Sequence, residues 1–375
     1  MNVLMMVSWY APKGKIGEGN FHYEQAKDLN RFCNCAIYYP YDRFITKGYE
    51  VGKENGIMVF RSKYALKNKI RNRIYMFQAM RRIVKNFQPD IIHGNVATES
   101  GRFAVILGKI FHIPVVITEH STIEASNVEH FPHYYYAKNV YRGSQYNACV
   151  SDVLTERLGK IFPQYSFHTI YNGIRELKPR QNQHLYCKGN RINIGMVAGF
   201  YSKEIKGVQY VLPAVKKMLD EGYAVYLHII GGGIYLDEFV SEAERMGLSQ
   251  HCTFYGECAA DKVFEIEAEM NFVVSASLFE SFGCAVAEAA MLGKPVVATK
   301  SGGVESIVNT DNGILVERGN IDSLYSGLIW MCEHYKQYDS WKISEDARKR
   351  FSIDMISRKY MDVYQDVLMK KDRKS

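Results

Sequence analysis

Near-continuous apolar runs recur along the chain. "VLMMVSW" (3–9), "DIIHGN" (90–95), "PVVITEH" (114–120), "INIGMVAG" (192–199), "YLHIIGG" (226–232), "NFVVSAS" (271–277) and "PVVAT" (295–299) are short and β-rich, and helical patterns fill most of the intervals between them. Strands without polar alternation, interleaved with helices, predict parallel sheets covered on both faces, an α/β fold.

The pattern breaks once, in the polar stretch "IYNGIRELKPRQNQHLYCKGN" (170–190), which carries the Asn172-Gly173 turn signal and Pro179. It reads as a linker between two doubly wound domains, 1–172 and 180–350, and 375 residues suit two such cores. Ligands of such sheets bind beyond the C-terminal strand ends. A last helical pattern, Ile353, Ile356, Tyr360, Val363, Tyr364 and Val367, is long enough to dock outside the second domain.

Composition changes this picture little: 47% hydrophobic and 23% charged residues are the values of an ordinary globular chain. No apolar run approaches the roughly 18 residues of a membrane span, and residues 3–9 are too short for a secretory signal, so the expected location is the cytoplasm. The eight cysteines lack CxxC pairs or nearby histidines at zinc spacing and read as reduced.

The +7 charge is localised. From Arg61 to Lys85 there are nine basic residues, Arg71, Arg73, Arg81 and Arg82 among them, and no acidic one, while Leu66, Ile70, Ile74, Phe77, Val84 and Phe87 recur at helical spacing. Two readings fit this basic amphipathic helix: a solvated face over a core stripe, or a surface for an anionic membrane or acidic partner. No nucleic-acid motif accompanies the charge, and no nucleic acid is expected.

The stretch "SLFESFGCAVAEAAMLGKPVVAT" (277–299) carries the chemistry. It predicts a loop through Glu280, Ser281 as N-cap, and a helix to Leu292 closed by Gly293. The free N–H groups at that helix start suit a phosphate, and Gly283 permits close approach to the backbone. Glu288, on a helix apolar almost all round, is costly unless a ligand bonds it, and the vicinal hydroxyls of a ribose would do so. Glycines 14, 17 and 19 of "PKGKIGEGNF" predict a flexible turn into a helix, without the GxGxxG spacing of a dinucleotide fold.

"ESFGCAVAEAAMLGKPVVAT" resembles the Glu-x7-Glu signature of glycosyltransferase family 4, retaining nucleotide-sugar enzymes of the GT-B fold, in which two Rossmann-like domains face a cleft. "PDIIHGN", "IPVVITEH", "YNGI", "KGVQYVLPAV", "HIIGGG", "TFYGEC" and "SGGVESIVNTDNGILV" follow the family's order. The resemblance implies that the C-terminal helix (353–370) packs back on an acceptor-binding N-terminal domain, and that 180–350 binds the donor. It implies that Glu280 contacts donor-sugar hydroxyls, with backbone N–H groups of Ser281, Phe282, Gly283 and Cys284 assisting, and that Glu288 holds the ribose. His120 lies at a strand end where the family has a histidine near the donor sugar; His93, at another strand end, reads as structural. Lys206 stands where the family neutralises the departing diphosphate. The chain departs from the family at Phe200, where an Arg is usual, and Lys203 is a candidate substitute. Gly17 and Gly19 are expected to close over the diphosphate.

The resemblance thus implies a retaining transfer of a hexose-type sugar from a nucleoside diphosphate sugar to an acceptor hydroxyl, with no metal or other cofactor. The basic stretch in the acceptor half suggests a lipid-linked saccharide of cell-envelope polysaccharide or glycolipid synthesis, met at the inner membrane face. A nucleotide-sugar epimerase and a non-catalytic carbohydrate-binding relative are the rival readings.

Overall fold

A computed structural model describes residues 1–11, 20–65, 68–177 and 191–373. They form two compact units, Met1–Gly173 with Ile353–Ser375, and Ile174–Ser352.

The first unit holds an eight-stranded sheet: β1 (Asn2–Met6), β2 (Asn34–Asp42), β3 (Tyr49–Glu54), β4 (Ile57–Lys63), β5 (Ile91–Asn95), β6 (Val115–Glu119), β7 (Tyr146–Cys149) and β8 (His168–Thr169), in the order β3-β4-β2-β1-β5-β6-β7-β8. Only the β3–β4 pair is antiparallel. Its helices are α1 (Asn20–Leu29), α2 (Lys69–Asn86), α3 (Arg102–Phe111), α4 (Ile123–Ser126), α5 (His133–Gly143) and α6 (Asp152–Ile161). The fully buried β5 and β6 are sandwiched as their apolar runs predict.

The second unit holds an all-parallel six-stranded sheet, β9 (Ile192–Val197), β10 (Val225–Ile230), β11 (Cys252–Phe254), β12 (Phe272–Ser275), β13 (Val296–Thr299) and β14 (Gly313–Val316), in the order β11-β10-β9-β12-β13-β14. The helices α7 (Val208–Asp220), α8 (Leu236–Arg245), α9 (Ala260–Ala268), α10 (Cys284–Met291), α11 (Ile321–His334) and α12 (Ser340–Phe351) surround it. In both sheets the chain winds outward from the centre in one direction and then in the other. The reversals fall between β1 and β5 and between β9 and β12, which makes the C-terminal ends of those strands the expected ligand crevices.

The last helix, α13 (Ile353–Asp372), returns to the first unit. Ile356, Tyr360, Tyr364 and Val367 enter the core with Val3, Met5 and Ile91. His93 ties them in: its Nδ1 lies 2.7 Å from the Tyr364 hydroxyl and its Nε2 2.7 Å from Thr118 Oγ1, which is 3.0 Å from the Tyr360 hydroxyl.

Two sequence expectations need correction. The basic stretch is not one helix from residue 61: Arg61 belongs to β4 and is buried, bonded to Asp42 (2.6 Å) and Glu54 (2.9 Å) beneath the rings of Tyr10 and Tyr39. The apolar stripe is also out of phase. α2 turns Met76, Ala79, Met80 and Ile83 into the core and leaves Ile70, Ile74 and Phe77 exposed. Apolar residues on both faces blur the periodicity that would identify the buried side. Leu66 lies outside the described residues.

Candidate active site

In the second unit the site begins where β9 ends. Phe200 N–H donates to the Gly232 carbonyl (2.8 Å), and Tyr235 N–H donates to the Phe200 carbonyl (3.1 Å). This contact explains the triple glycine: at Gly231, with φ +140°, a Cβ would fall 1.8 Å from the Ala198 carbonyl oxygen. Phe200 therefore points into the core against Phe239, ring centroids 5.6 Å apart, and brings no charge to the surface. Beyond it Lys203 pairs with Glu238 of α8, and only Lys206 reaches Glu280. Gly207 (φ +75°) starts α7 so close to β12 that a Cβ would lie 1.9 Å from the Ala276 carbonyl oxygen.

Glu280 follows β12 and is held as a single bridge. Its N–H donates to the Ser301 carbonyl (2.9 Å), and its own carbonyl accepts from Gly303 N–H (2.7 Å). The carboxylate, 17% exposed, accepts at Oε1 from Lys206 Nζ (2.6 Å) and from Ser277 Oγ (2.8 Å). This pairing with 301–303 overrides the expected Ser281 cap: the chain passes Ser281 and the buried Phe282 before Gly283, at φ +101°, turns into α10 with Cys284 as first residue. Leu292 and Gly293, at φ +74°, close the helix where the sequence places its end.

Glu288 sits on the second turn of α10, half-buried, with no described group hydrogen-bonded to its carboxylate. Burial pushes its pKa up to about 7, against the pull of the Arg175 charge. Behind it Glu267 of α9 is wholly buried with both carboxyl oxygens unpartnered among the described residues. Burial and the Glu288 charge hold it well above the carboxylate range, as a neutral acid.

In the first unit His120 follows β6. Its Nε2 donates to Asn95 Oδ1 (2.8 Å), and its ring lies 5.1 Å from Phe21 and edge-on, at 5.4 Å, to His22. Burial, with His93 nearby, lowers its pKa to about 3, so the imidazole is neutral. The preceding Glu119 accepts from Ala97 N–H (3.0 Å), Ser121 N–H (3.0 Å) and the Tyr141 hydroxyl (3.2 Å), which fixes the loops on either side of the histidine. Between Asn95 and Ala97, Val96 stands at φ +65°, a conformation that costs a β-branched residue about 1–3 kcal/mol.

Sequence reasoning missed His22, Asn95, Glu119, Glu267 and Ser277. Asn95 alone had a signal, a polar residue closing the apolar strand "DIIHGN". Gly17 and Gly19 lie outside the described residues. Arg71, Arg73, Arg81 and Arg82 are exposed on α2; Arg71 Nε donates to the Tyr75 hydroxyl (2.6 Å) and Arg82 covers the Tyr49 ring (5.3 Å).

Known proteins place this geometry in context. The family described as Glycosyltransferase Family 4 matches residues 33–176, and that described as Glycosyl transferases group 1 matches residues 181–350. The chain is similar to the uncharacterized glycosyltransferase MJ1178 of Methanocaldococcus jannaschii, 25% identical over 68% of this chain and 69% of that one. It is similar over 91% of both chains, at 23% identity, to a putative teichuronic acid biosynthesis glycosyltransferase, TuaC, of Bacillus subtilis. Among solved structures, Anabaena Alr3699/HepE in complex with UDP superposes with a TM-score of 0.78 at 19% identity, covering 98% of this chain and 100% of that one.

Proposed function

The chain belongs to the family 4 glycosyltransferases and has their GT-B fold, and on that premise we propose that it transfers a hexose-type sugar from a nucleoside diphosphate sugar to an acceptor hydroxyl, with retention at the anomeric carbon. The observation that carries the reading is the Lys206–Glu280 pair beside the start of α10, at the reversal between β9 and β12. The Glu280 carboxylate accepts sugar hydroxyls. Lys206 and the N–H groups at the helix start stabilise the charge that develops on the departing diphosphate. Glu288 takes the ribose hydroxyls, the partners its half-buried carboxylate lacks.

Neutral His120, its single N–H already given to Asn95, offers the Nδ1 lone pair rather than a cation. In this proposal the leaving phosphate, on the same face as the acceptor, takes the acceptor's proton, because no side chain is assigned as a covalent nucleophile. Lys206 and the helix start replace a metal in meeting the phosphate charge, and activity unchanged by EDTA is expected. The similarity to a protein solved with UDP supports a nucleotide-linked donor.

For the acceptor, we place the first unit at an anionic membrane surface, acting on a lipid-linked saccharide in cell-envelope polysaccharide or glycolipid synthesis. Ile70, Ile74 and Phe77 of α2 and Ile106 and Ile110 of α3 are exposed, Phe77 stacks on Phe111 (5.8 Å), and Arg73, Arg81 and Lys109 flank them. No helix among the described residues is long and apolar enough to cross a membrane.

The decisive experiment incubates the protein with UDP-, GDP- and ADP-sugars, with and without saccharide acceptors, and assigns the anomer of each product by NMR. A new α-glycosidic product from an α-linked donor supports the proposal. Epimerised free sugar from donor alone, or no donor cleavage at all, overturns it.

A further inference from the structure

The first unit contains a cavity of about 610 Å³ beyond the C-terminal ends of β1, β2, β4 and β5. One wall is aromatic. Tyr41 meets the rings of Tyr39 (6.2 Å), Tyr64 (5.6 Å) and Phe103 (6.4 Å), each edge to face. Such a wall offers ring surface to the C–H face of a sugar, with phenol hydroxyls at its edges.

Three arginines meet in this corner, and they differ. Arg61, below Tyr39, is buried and neutralised by Asp42 and Glu54. Arg43 and Arg102, which line the cavity itself, have no carboxylate partner among the described residues. Each is held instead by an aromatic face: the Arg43 guanidinium lies 5.8 Å from the Tyr64 ring centroid, and that of Arg102 lies 3.9 Å from Tyr136. Stacking orients a guanidinium and leaves its edge donors free for a carboxylate or phosphate. Glu99 also lines the cavity and supplies one carboxylate, an acceptor for sugar hydroxyls that offsets part of the charge of the two arginines.

The cavity reaches the candidate histidine through two hydrogen bonds. Ser8 in its wall donates to the Asn95 carbonyl (2.8 Å), and Asn95 Oδ1 accepts from His120 (2.8 Å).

We propose that this cavity binds a saccharide bearing a single anionic group, a uronate carboxylate or a glycosyl phosphate, seated on the tyrosine wall with its charge between Arg43 and Arg102. That the bound saccharide is the acceptor rests on the transferase reading; the binding itself does not.

The test measures affinity of the full chain, by ligand-detected NMR and calorimetry, for a glucuronosyl-glucose disaccharide, for glucose 1-phosphate and for neutral cellobiose. At least one anionic probe is expected to bind ten-fold or more tightly than cellobiose, and the stronger of the two identifies the anion. In the R43Q/R102Q variant, with its thermal melt as a folding control, that advantage is expected to vanish. Raising NaCl from about 50 to about 500 mM is expected to weaken the anionic probe and not cellobiose in the unaltered protein, a readout independent of any variant. Equal affinity for cellobiose, no binding of either anion, or full retention in R43Q/R102Q overturns the inference. Cleavage of a nucleotide sugar by the unaltered chain without saccharide tests the transferase reading separately, so the two fail independently.

Discussion

Lys206 and Glu280, 74 residues apart in sequence, share a 2.6 Å hydrogen bond, and the same carboxylate oxygen also takes the Ser277 hydroxyl. In the ligand-free pair the ammonium is held by the acid. In the proposed reaction a bound donor divides them, the sugar taking the carboxylate and the diphosphate the ammonium. Glu280→Ala and Lys206→Ala are each expected to lower kcat/KM by about 10²-fold or more, the scale of losing one charge-stabilising group. The double variant is expected to fall by much less than the product of the two losses, because each single change already dismantles the pair. Steady-state kinetics of the four proteins completes the cycle; multiplicative losses would mean that the residues act apart.

Much of this site could be read along the chain, because local pattern carries it. Glu280 and Glu288 stand out as acids in an apolar setting, and β1, β5, β6, β9, β10, β12 and β13 are uninterrupted enough to be seen as strands. β4 was hidden because Arg61 interrupts its apolar run, and what neutralises that charge, Asp42 and Glu54, lies on two other strands. Ser281 looked like a helix cap because its competitor, the pairing of Glu280 with Ser301 and Gly303, is a long-range contact. Phe200 in the place of a family Arg is buried on the Phe239 ring, a partner far from it in sequence. His22 beside His120 likewise arises only when α1 packs near the end of β6.

If Glu288 holds the donor as proposed, donor affinity should depend on pH. With its pKa at about 7, the carboxylate is about one-tenth formed at pH 6 and nine-tenths formed at pH 8. If the ribose needs the ionised form, the Kd for nucleotide tightens about ten-fold across that interval, and Glu288→Gln abolishes the dependence. The stability effect has the opposite sign. A carboxyl raised from 4.5 to about 7 in the folded state stabilises the protein fully below pH 4.5, and that contribution is lost as pH rises through 7. Glu288→Gln should therefore raise the melting temperature relative to the unaltered chain at pH 8 and less so at pH 5. Calorimetric titration and melting across that range test both halves.

The exposed side of α2 and α3 pairs an apolar ridge with basic residues, so the proposed membrane binding should fail in two distinguishable ways. Replacing Arg71, Arg73, Arg81 and Arg82 by Gln removes charge: at roughly 1 kcal/mol per basic residue near an anionic surface, vesicle affinity should drop by two orders of magnitude or more. Ile74→Asp with Phe77→Asp removes the ridge and should weaken binding even at low salt, where charge attraction is strongest. Both sites are exposed, so folding should survive. Sedimentation with vesicles of phosphatidylglycerol and phosphatidylcholine reads both effects, and unchanged binding in both variants would exclude the membrane face.

His93 adds a polar tie to the apolar docking of α13 on the first unit, its two ring nitrogens engaged by Tyr364 and Thr118 at 2.7 Å each. Tyr364→Phe deletes one hydroxyl and leaves a buried imidazole nitrogen unpaired, a loss of about 1–3 kcal/mol. The proposed nucleotide site lies in the other unit, so nucleotide affinity is expected to survive in Tyr364→Phe while urea denaturation shifts to lower concentration. The same histidine confers acid sensitivity. Burial lowers its pKa from 6.5 to about 3, so below pH 6.5 the unfolded chain takes up a proton that the native chain refuses. The stability it permits is complete above pH 6.5 and declines as pH falls toward 3, with a limiting slope of about 1.4 kcal/mol per pH unit. His93→Gln, which retains a donor and an acceptor but no basic site, should remove that slope from the difference between the two proteins. Denaturation midpoints at pH 7, 6, 5 and 4 would reveal it, and parallel curves for the two proteins would mean that His93 is protonated in the native state.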